Sequence, residues 1–245
     1  MMLEISDIEP IKNFFDVIYD SASEVEIKLD QEKLSINLLN NGYVAFYNLE
    51  ISKDFFIEYE VNGAENILIF VEDFYKILKS SNKSEMLFLE SNDNFLICKF
   101  EDNNNHRIFE LPLAEDYDDA PTPPSIDYNG IFDVSLNELK QSVFDLDKIV
   151  KTHKFKIHTQ ENMMNITAPS DSMTKYSQTI RIDSEEICDV IVDVKYVSEI
   201  LKLSKINNIV TLKMGNGLPL SWVIQSHDEL VKVGGLIAPI IEEEA

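Results

Sequence analysis

Apolar and polar residues alternate along many short stretches of the chain, and this period of two is typical of strands with one buried face. The stretches that show it best are EVEIKL, KLSINLL, YVAFYNLEI, FLICKF, RIFELPL, FKIHT, NMMNITA, YSQTIRI and SWVIQ. Four other segments, which begin near Ile8, Val71, Leu136 and Val194, space their apolar residues as amphipathic helices do. The pattern therefore predicts an α+β protein with many strands and four helices.

The chain also matches itself at about half its length. Segment 71–89, VEDFYKILKSSNKSEMLFL, aligns without a gap with 194–212, VKYVSEILKLSKINNIVTL, at an offset of 123 residues. Residues 8–18 match 136–146 more weakly, with Lys12 aligned to Lys140. The sequence therefore predicts two copies of one unit, each a β-rich domain with two helices.

A connector separates the two copies. Segment 114–130, AEDYDDAPTPPSIDYNG, is rich in proline and aspartate and has no periodicity, which is typical of an extended link. We predict an N-terminal domain over 1–113, a connector over 114–130 and a C-terminal domain over 131–245.

Composition adds a strong net charge. The 245 residues carry a formal charge of −23, which repels DNA phosphates and anionic membranes when averaged over the whole surface. Cys98 and Cys188 lie among apolar residues and are expected to be buried thiols in a reducing cytoplasm. The acidic N-terminus and the lack of a long apolar window predict a soluble protein that is not exported.

Ten of the 21 basic residues nevertheless lie on or beside the four predicted helices. Lys76, Lys79 and Lys83 fall within about 60° of one another on a helical wheel, opposite Phe74 and Ile77. We call all ten the basic set: Lys12, Lys76, Lys79, Lys83, Lys140, Lys148, Lys151, Lys195, Lys202 and Lys205. Any solvated helix can carry lysines, but their recurrence in both copies predicts a basic face that holds DNA without reading its sequence.

An enzyme is the first alternative from another class. The four histidines are scattered without ligand spacing, there is no glycine-rich phosphate loop, and the carboxylates form charge runs without an acid–base pair. We therefore expect no catalytic residue, no metal ion and no cofactor.

Several longer motifs resemble one known family. VDVKYVSEILKLSKINNIVTLKMGNGLPLSWVI, followed by LIAPIIEEE, is similar to the last helix, strand, turn and tail of the replication sliding clamps of the proliferating cell nuclear antigen type, found in archaea and eukaryotes. FYKILKSSNKSEMLFLES resembles that family's second helix and strand, and HRIFELPL the end of its first domain. The resemblance covers nearly the whole chain.

The resemblance implies the DNA clamp fold and a ring of three subunits, either a homotrimer or a heterotrimer, that encircles duplex DNA. The basic set would line the hole, and the ring would hold a DNA polymerase on its template. Further implied partners are a clamp loader, a nuclease and a ligase, bound through short peptide motifs, with no membrane. The protein would work at the nucleoid in the cytoplasm of an archaeon, or in the nucleus of a eukaryote. The alternative is an acidic scaffold, or a clamp-like decoy that binds partner peptides without encircling DNA.

The resemblance also implies two protein-binding surfaces. A groove for partner peptides would be formed by Leu39, Tyr43, Val44, Ile126, Tyr128, Pro219, Leu236, Ile237, Ala238 and Pro239. Subunits would pair through the edge strands 106–112 and 176–182, with the contact residues Arg107, Phe109, Leu111, Ser177, Thr179 and Arg181. Pairing of these strands only inside their own sheets is the alternative.

Three features depart from the family pattern. Gln141 and Phe144 stand where the family often has basic residues, which predicts a weaker attraction to DNA in the second domain. Gly234 and Gly235 replace common aromatic residues beside the groove. Segment 176–197 is shorter than its counterpart by roughly a dozen residues, which predicts that a strand or hairpin is missing from the second domain.

Overall fold

The computed structural model describes residues 1–115, 121–169 and 172–241. The chain divides into two compact units, 1–123 with 225–233 and 124–224 with 234–245. The break after Pro123 falls inside the segment predicted to be a connector. Part of that connector, 116–120, and the acidic C-terminal residues 242–245 lie outside the described residues.

The first unit is built from antiparallel strands and two helices. Its described strands are β1 (Met2–Ile5), β2 (Glu24–Leu29), β3 (Lys33–Leu39), β4 (Ala45–Ser52), β5 (Glu58–Glu60), β6 (Glu65–Phe70), β7 (Met86–Ser91), β8 (Phe95–Glu101) and β9 (His106–Pro112), and its helices are α1 (Glu9–Ile18) and α2 (Val71–Lys79). The strands are ordered β5-β1-β7-β8-β9 in one sheet and β4-β3-β2-β6 in the other. Along β2, half-exposed charged residues alternate with buried Val25, Ile27 and Leu29, so the predicted period of two is confirmed.

The second unit repeats this plan. Its described strands are β10 (Gly130–Ser135), β11 (Lys154–Gln160), β12 (Met163–Thr167), β13 (Ser177–Arg181), β14 (Cys188–Asp193), β15 (Ile209–Met214) and β16 (Leu220–Gln225), with helices α3 (Leu136–Phe144) and α4 (Val194–Leu201). The orders are β10-β15-β16 and β13-β12-β11-β14. The last strand, β17 (Val231–Ile237), carries residues of both units. The predicted α+β class is confirmed.

Side-chain contacts join the two helices of the first unit and cap a helix of the second. In the first unit the rings of Phe15 and Phe74 pack edge to face, 4.8 Å apart, and join α1 to α2. In the second unit Asp193 caps α4 by accepting a hydrogen bond from the Lys195 N–H at 2.8 Å. Both cysteines are buried and unpaired, as expected. Within the described ranges, no helix is long and apolar enough to cross a membrane.

The helices are shorter than the periodicity predicts. Helix α2 ends at Lys79, where the Ser80 and Ser81 hydroxyls donate to the carbonyls of Ile77 and Leu78 at 2.8 and 2.6 Å. The placement of Lys83 on this helix was therefore wrong, because Lys83 lies in the following turn.

The third and fourth helices also change form before the later predicted lysines, Lys148 and Lys151 after α3 and Lys202 and Lys205 after α4. The chain widens into a π-helix over Asp145–Val150 after α3, and Lys151 then takes a left-handed conformation with φ of 60°. A short 3-10 helix, Lys202–Lys205, follows α4. A single α-helical wheel therefore does not describe the placement of the lysines that follow α3 and α4.

Candidate functional site

The basic set lies at the surface of both units. Nine of its ten lysines are exposed, and Lys12 is half-buried with 24% of its side chain accessible. Lys12 Nζ donates to Glu9 Oε1 at 2.6 Å, one turn away on α1. The lysines of both units are therefore available to an anion outside the protein.

Acidic residues partly offset this basic surface. Lys76 Nζ donates to Glu72 Oε1 at 2.5 Å, and Lys148 Nζ lies 2.6 Å from Asp147 Oδ2. The hydrogen bond that Lys76 donates to Glu72 raises the pKa of Lys76, and the same bond lowers the pKa of Glu72. Exposed pairs of this kind contribute little to stability, so an anion from outside the protein can replace the carboxylate at small cost.

Around the end of the third helix, exposed apolar and amide side chains occupy positions where a lysine or arginine could lie. Phe144 is 54% exposed, and Ile149 on the following π-helix is 56% exposed. Gln141 is exposed and its amide donates to Asp145 Oδ1 at 2.9 Å. These positions supply no positive charge, as the sequence of the second unit indicated.

The two strands assigned to subunit pairing both lie at sheet edges. β9 pairs only with β8, and β13 only with β12, among the described strands. The Tyr176 carbonyl and the Ile182 N–H bond toward β12, so the backbone groups of Ser177, Thr179 and Arg181 point to the open side. On β13 the predicted contact residues thus carry the free backbone groups.

On β9 the backbone groups of the predicted residues point toward β8 and away from the open side. The Leu113 N–H bonds to the Asn94 carbonyl on the β8 side, so Arg107, Phe109 and Leu111 share that direction and the backbone groups of Ile108 and Glu110 face outward. Leu111 is only 3% exposed, whereas Ile108 is 51% exposed. The side chain of Leu111 is therefore part of the core of the first unit.

Arg107 belongs to an ion pair that the sequence did not indicate. Its Nη2 donates to both oxygens of Glu85, at 2.8 and 2.7 Å, and to the Ser80 carbonyl that ends α2, at 3.1 Å. The guanidinium also lies over the Phe100 ring, 5.1 Å from its centre. Burial would raise the pKa of Glu85, but the Asn82 N–H and Arg107 outweigh it and hold that pKa below its ordinary value. Arg107 thus fastens strand β9 to the end of a lysine-bearing helix.

A second polar cluster joins β13 to α3. The Tyr176 hydroxyl oxygen lies 2.8 Å from Gln178 Oε1 and 3.2 Å from Ser142 Oγ, and the Ser142 hydroxyl donates to Gln178 Oε1. The Gln178 amide donates to the Glu138 carbonyl at 3.4 Å. Each predicted edge strand is therefore linked through buried polar groups to a helix of the basic set.

The ten predicted groove residues fall in both units, three in the first and seven in the second. In the first unit a turn presents Tyr43, which is 80% exposed and has a φ of 55°. Buried Asn40 fixes this turn, because its Oδ1 accepts the N–H groups of Val44 and Ala45 at 2.8 and 2.9 Å. Leu39 and Val44 are half-buried. Asn40 is a positioning residue that sequence reasoning missed.

In the second unit the tail combines buried and accessible residues. Ile237 is 1% exposed, while Leu236, Ala238 and Pro239 are half-buried, as are Ile126, Tyr128 and Pro219. The Ile240 N–H donates to the Ile191 carbonyl at 2.7 Å and holds the tail against β14. The tail therefore buries Ile237, which the resemblance assigned to the groove, in the core and leaves its neighbours partly open.

Comparisons with known proteins show which proteins this chain is similar to. Residues 2–117 match the family described as the N-terminal domain of proliferating cell nuclear antigen. A DNA polymerase sliding clamp of Methanothermobacter thermautotrophicus is 27% identical over 244 residues, which cover 98% of this chain and 98% of that relative. The chain is therefore similar over nearly its whole length to sliding clamps of the proliferating cell nuclear antigen type. The match to the relative extends over both units of the fold.

Two solved structures of this family share the fold. The PCNA2-PCNA3 complex of Sulfolobus tokodaii matches with a TM-score of 0.87 at 18% identity, covering 99% of this chain and 100% of that chain. Proliferating cellular nuclear antigen of Entamoeba histolytica matches with a TM-score of 0.88 at 17% identity and covers 98% of each chain. The clamp fold predicted from the sequence is confirmed.

Proposed function

We propose that this protein is a DNA sliding clamp, a processivity factor that surrounds duplex DNA and keeps a polymerase on its template. The observation that carries the proposal is the exposure of the basic set in both units of a chain whose net charge is −23. Full-length similarity to a relative named DNA polymerase sliding clamp supports the same role. The proposed role is non-catalytic and takes place at the genome.

Sliding requires contacts that are strong enough to hold DNA and easily exchanged. Lys76 and Lys148 suit such contacts. Each ammonium group can bind a phosphate, and it pairs again with an adjacent carboxylate when the phosphate leaves. Contacts to phosphates carry no sequence information, and their number sets the salt dependence of binding. The acidic remainder of the surface repels DNA and favours its placement at the lysines.

We further propose that the ring closes by pairing β9 of one subunit with β13 of the next. Both strands have an open side, and pairing of two different edges of one chain suits a closed ring of identical contacts. A heteromeric ring is the second candidate, favoured by the solved relative, which is a complex of two different proliferating cell nuclear antigen chains. Partner proteins are proposed to dock on the tail at Leu236, Ala238 and Pro239.

The test replaces Lys76, Lys79 and Lys202 together with alanine. Folding should be unchanged because all three are exposed, while retention on closed circular DNA should fall. The slope of log affinity against log salt should flatten by about 0.9 for each phosphate that the variant no longer neutralises. The matched control replaces Lys28, Lys33 and Lys53, which changes the net charge equally but leaves the basic set intact. Equal retention of wild type and the first variant at every salt concentration would favour the scaffold alternative.

A further inference from the structure

The first strand of each unit, β1 or β10, pairs with the equivalent neighbouring strand in the same register. β1 pairs with β7 so that Leu3 faces Leu89, and β10 pairs with β15 so that Phe132 faces Leu212. Leu89 and Leu212 are aligned by the repeat in the sequence. Leu3 is therefore equivalent to Phe132, and each residue of β1 has a counterpart on β10.

The outer edge of this first strand is covered in one unit and open in the other. β5 pairs with β1 in the register Met2↔Glu60, Leu3↔Tyr59 and Glu4↔Glu58. Twelve residues, 53–64, link β4 to β6 and include β5, whereas only six residues, 182–187, link β13 to β14. No described strand covers β10, which lies at the end of its sheet. The predicted absence of a strand from the second unit is therefore found at this edge.

The short link cannot cover the edge because it is bonded elsewhere. The Ser184 carbonyl accepts the Asn162 N–H at 3.1 Å, and the Glu186 carbonyl accepts the Thr159 hydroxyl at 2.8 Å. Both partners belong to the hairpin formed by β11 and β12, on the other side of the link. The outer side of β10 therefore gains no cover from this link.

The backbone of β10 offers unused hydrogen-bonding groups. The Leu136 N–H bonds to the Asn208 carbonyl at 2.8 Å, so the even-numbered residues point toward β15. The N–H and C=O groups of Ile131 and Asp133 consequently face outward. In the first unit the equivalent Glu4 carbonyl accepts the Ile57 N–H at 2.9 Å. In the second unit the equivalent carbonyl belongs to Asp133, and no described strand lies beside it to donate an N–H.

The side chains around this edge define what would bind there. Ile131 is 54% exposed, and Asp133 two residues later is exposed on the same face. The edge is therefore apolar at Ile131 and acidic at Asp133.

We propose that β10 is a docking edge for an extended segment of a partner protein that contains a basic residue followed two positions later by an aliphatic residue. Added antiparallel to β10, such a segment pairs its basic side chain with Asp133 and its aliphatic side chain with Ile131. A second copy of this chain fits poorly, because β10 has no basic side chain to pair with Asp133 of the other copy. This inference goes beyond the sliding-clamp role and does not depend on it.

The probe is a synthetic peptide based on residues 56–61, FIEYEV, the segment that contains β5. Lysine replaces its Glu58 and isoleucine its Glu60, which places them opposite Asp133 and Ile131 in the register of β5. Binding to the full chain is measured by fluorescence anisotropy at low salt, and hydrogen exchange follows the amides of 130–135. The lysine peptide should bind and slow that exchange. The same peptide N-methylated at its lysine amide, and the unchanged FIEYEV peptide, should each bind more weakly.

Variants of the chain locate the binding site. Ile131→Pro deletes an outward N–H without breaking a bond to β15, and should weaken binding about tenfold or more. Asp133→Lys should weaken it about fivefold, the scale of a reversed cross-strand charge pair. Glu60→Lys is the control, because it makes the same charge change on β5 in the first unit. Equal binding by wild type and Ile131→Pro, or no binding by the lysine peptide, would overturn the proposal. A lower mass of Ile131→Pro in solution would overturn it in favour of a second copy.

Discussion

Replacing Arg107 with alanine should destabilise the first unit more than the surface position of Arg107 suggests. The Glu85 side chain is 1% exposed, and Arg107 supplies its bidentate ion pair. Without Arg107, the carboxylate loses both hydrogen bonds from the guanidinium. It keeps the hydrogen bond from the Asn82 N–H at 2.7 Å. The variant therefore leaves a charge in the protein interior that is mostly unpaired.

The size of the effect follows from burial. Removing one partner of a buried ion pair costs about 3–5 kcal/mol. Since Arg107 is 32% exposed, water can partly replace it, and we expect a loss near the lower limit, about 3 kcal/mol. For a chain of this size, that corresponds to a fall of about 6–12 °C in the thermal midpoint.

Thermal unfolding followed by circular dichroism measures the loss, and a second substitution tests its cause. Glu85→Gln made in the Arg107→Ala background removes the buried charge and should restore more than half of the stability. The lowered pKa of Glu85 also predicts a pH dependence. The stabilisation is complete above the ordinary pKa of 4.5 and is lost as the pH falls through the folded-state pKa, so wild type and Arg107→Ala should converge at low pH. A loss below about 1 kcal/mol, or no recovery in the double variant, would refute this account of the ion pair.

Two further predictions concern the protein-binding surfaces. Ala238→Arg places a charge on the half-buried tail and should weaken a peptide of the form glutamine, aliphatic and two aromatics by about 2 kcal/mol or more, as measured by fluorescence anisotropy. Removal of Glu242 to Ala245 should cost much less, and tight binding by folded Ala238→Arg would move the groove elsewhere. Thr179→Pro deletes an outward N–H of β13 and should lower the mass of the assembly measured by analytical ultracentrifugation. An unchanged mass would exclude β13 as the pairing strand.

Strands with a clear alternation of apolar residues were predictable from the sequence almost to the residue. The stretches EVEIKL and KLSINLL coincide with β2 and β3, because alternation of apolar residues is a local consequence of one buried face. The ends of helices were harder to predict. Whether α2 ended before Lys83 depended on two serine hydroxyls that bond back to the helix, and apolar periodicity does not report such bonds.

The candidate site was predictable as a set of residue types but not as a set of contacts. The lysines could be placed at the surface because both copies carry them on polar faces. The ion pair of Arg107 with Glu85 joins residues 22 positions apart, on a strand and in the turn before another strand. Nothing in their local sequence marks them as partners, so Arg107 was assigned to a subunit contact when its guanidinium is used inside the first unit.

The two units also show how one repeated plan can acquire different surfaces. Because β1 and β10 keep the same register, the loss of a covering strand does not displace the buried residues Leu3 and Phe132, and the core tolerates it. What changes is the outer edge, where backbone groups that β5 satisfies in one unit are left to solvent or to a partner in the other. An edge strand that ends in charged and short residues resists unspecific pairing, and Asp133 and Ser135 fit that description. The open edge of β10 therefore combines protection from aggregation with a specific preference for a basic, extended segment.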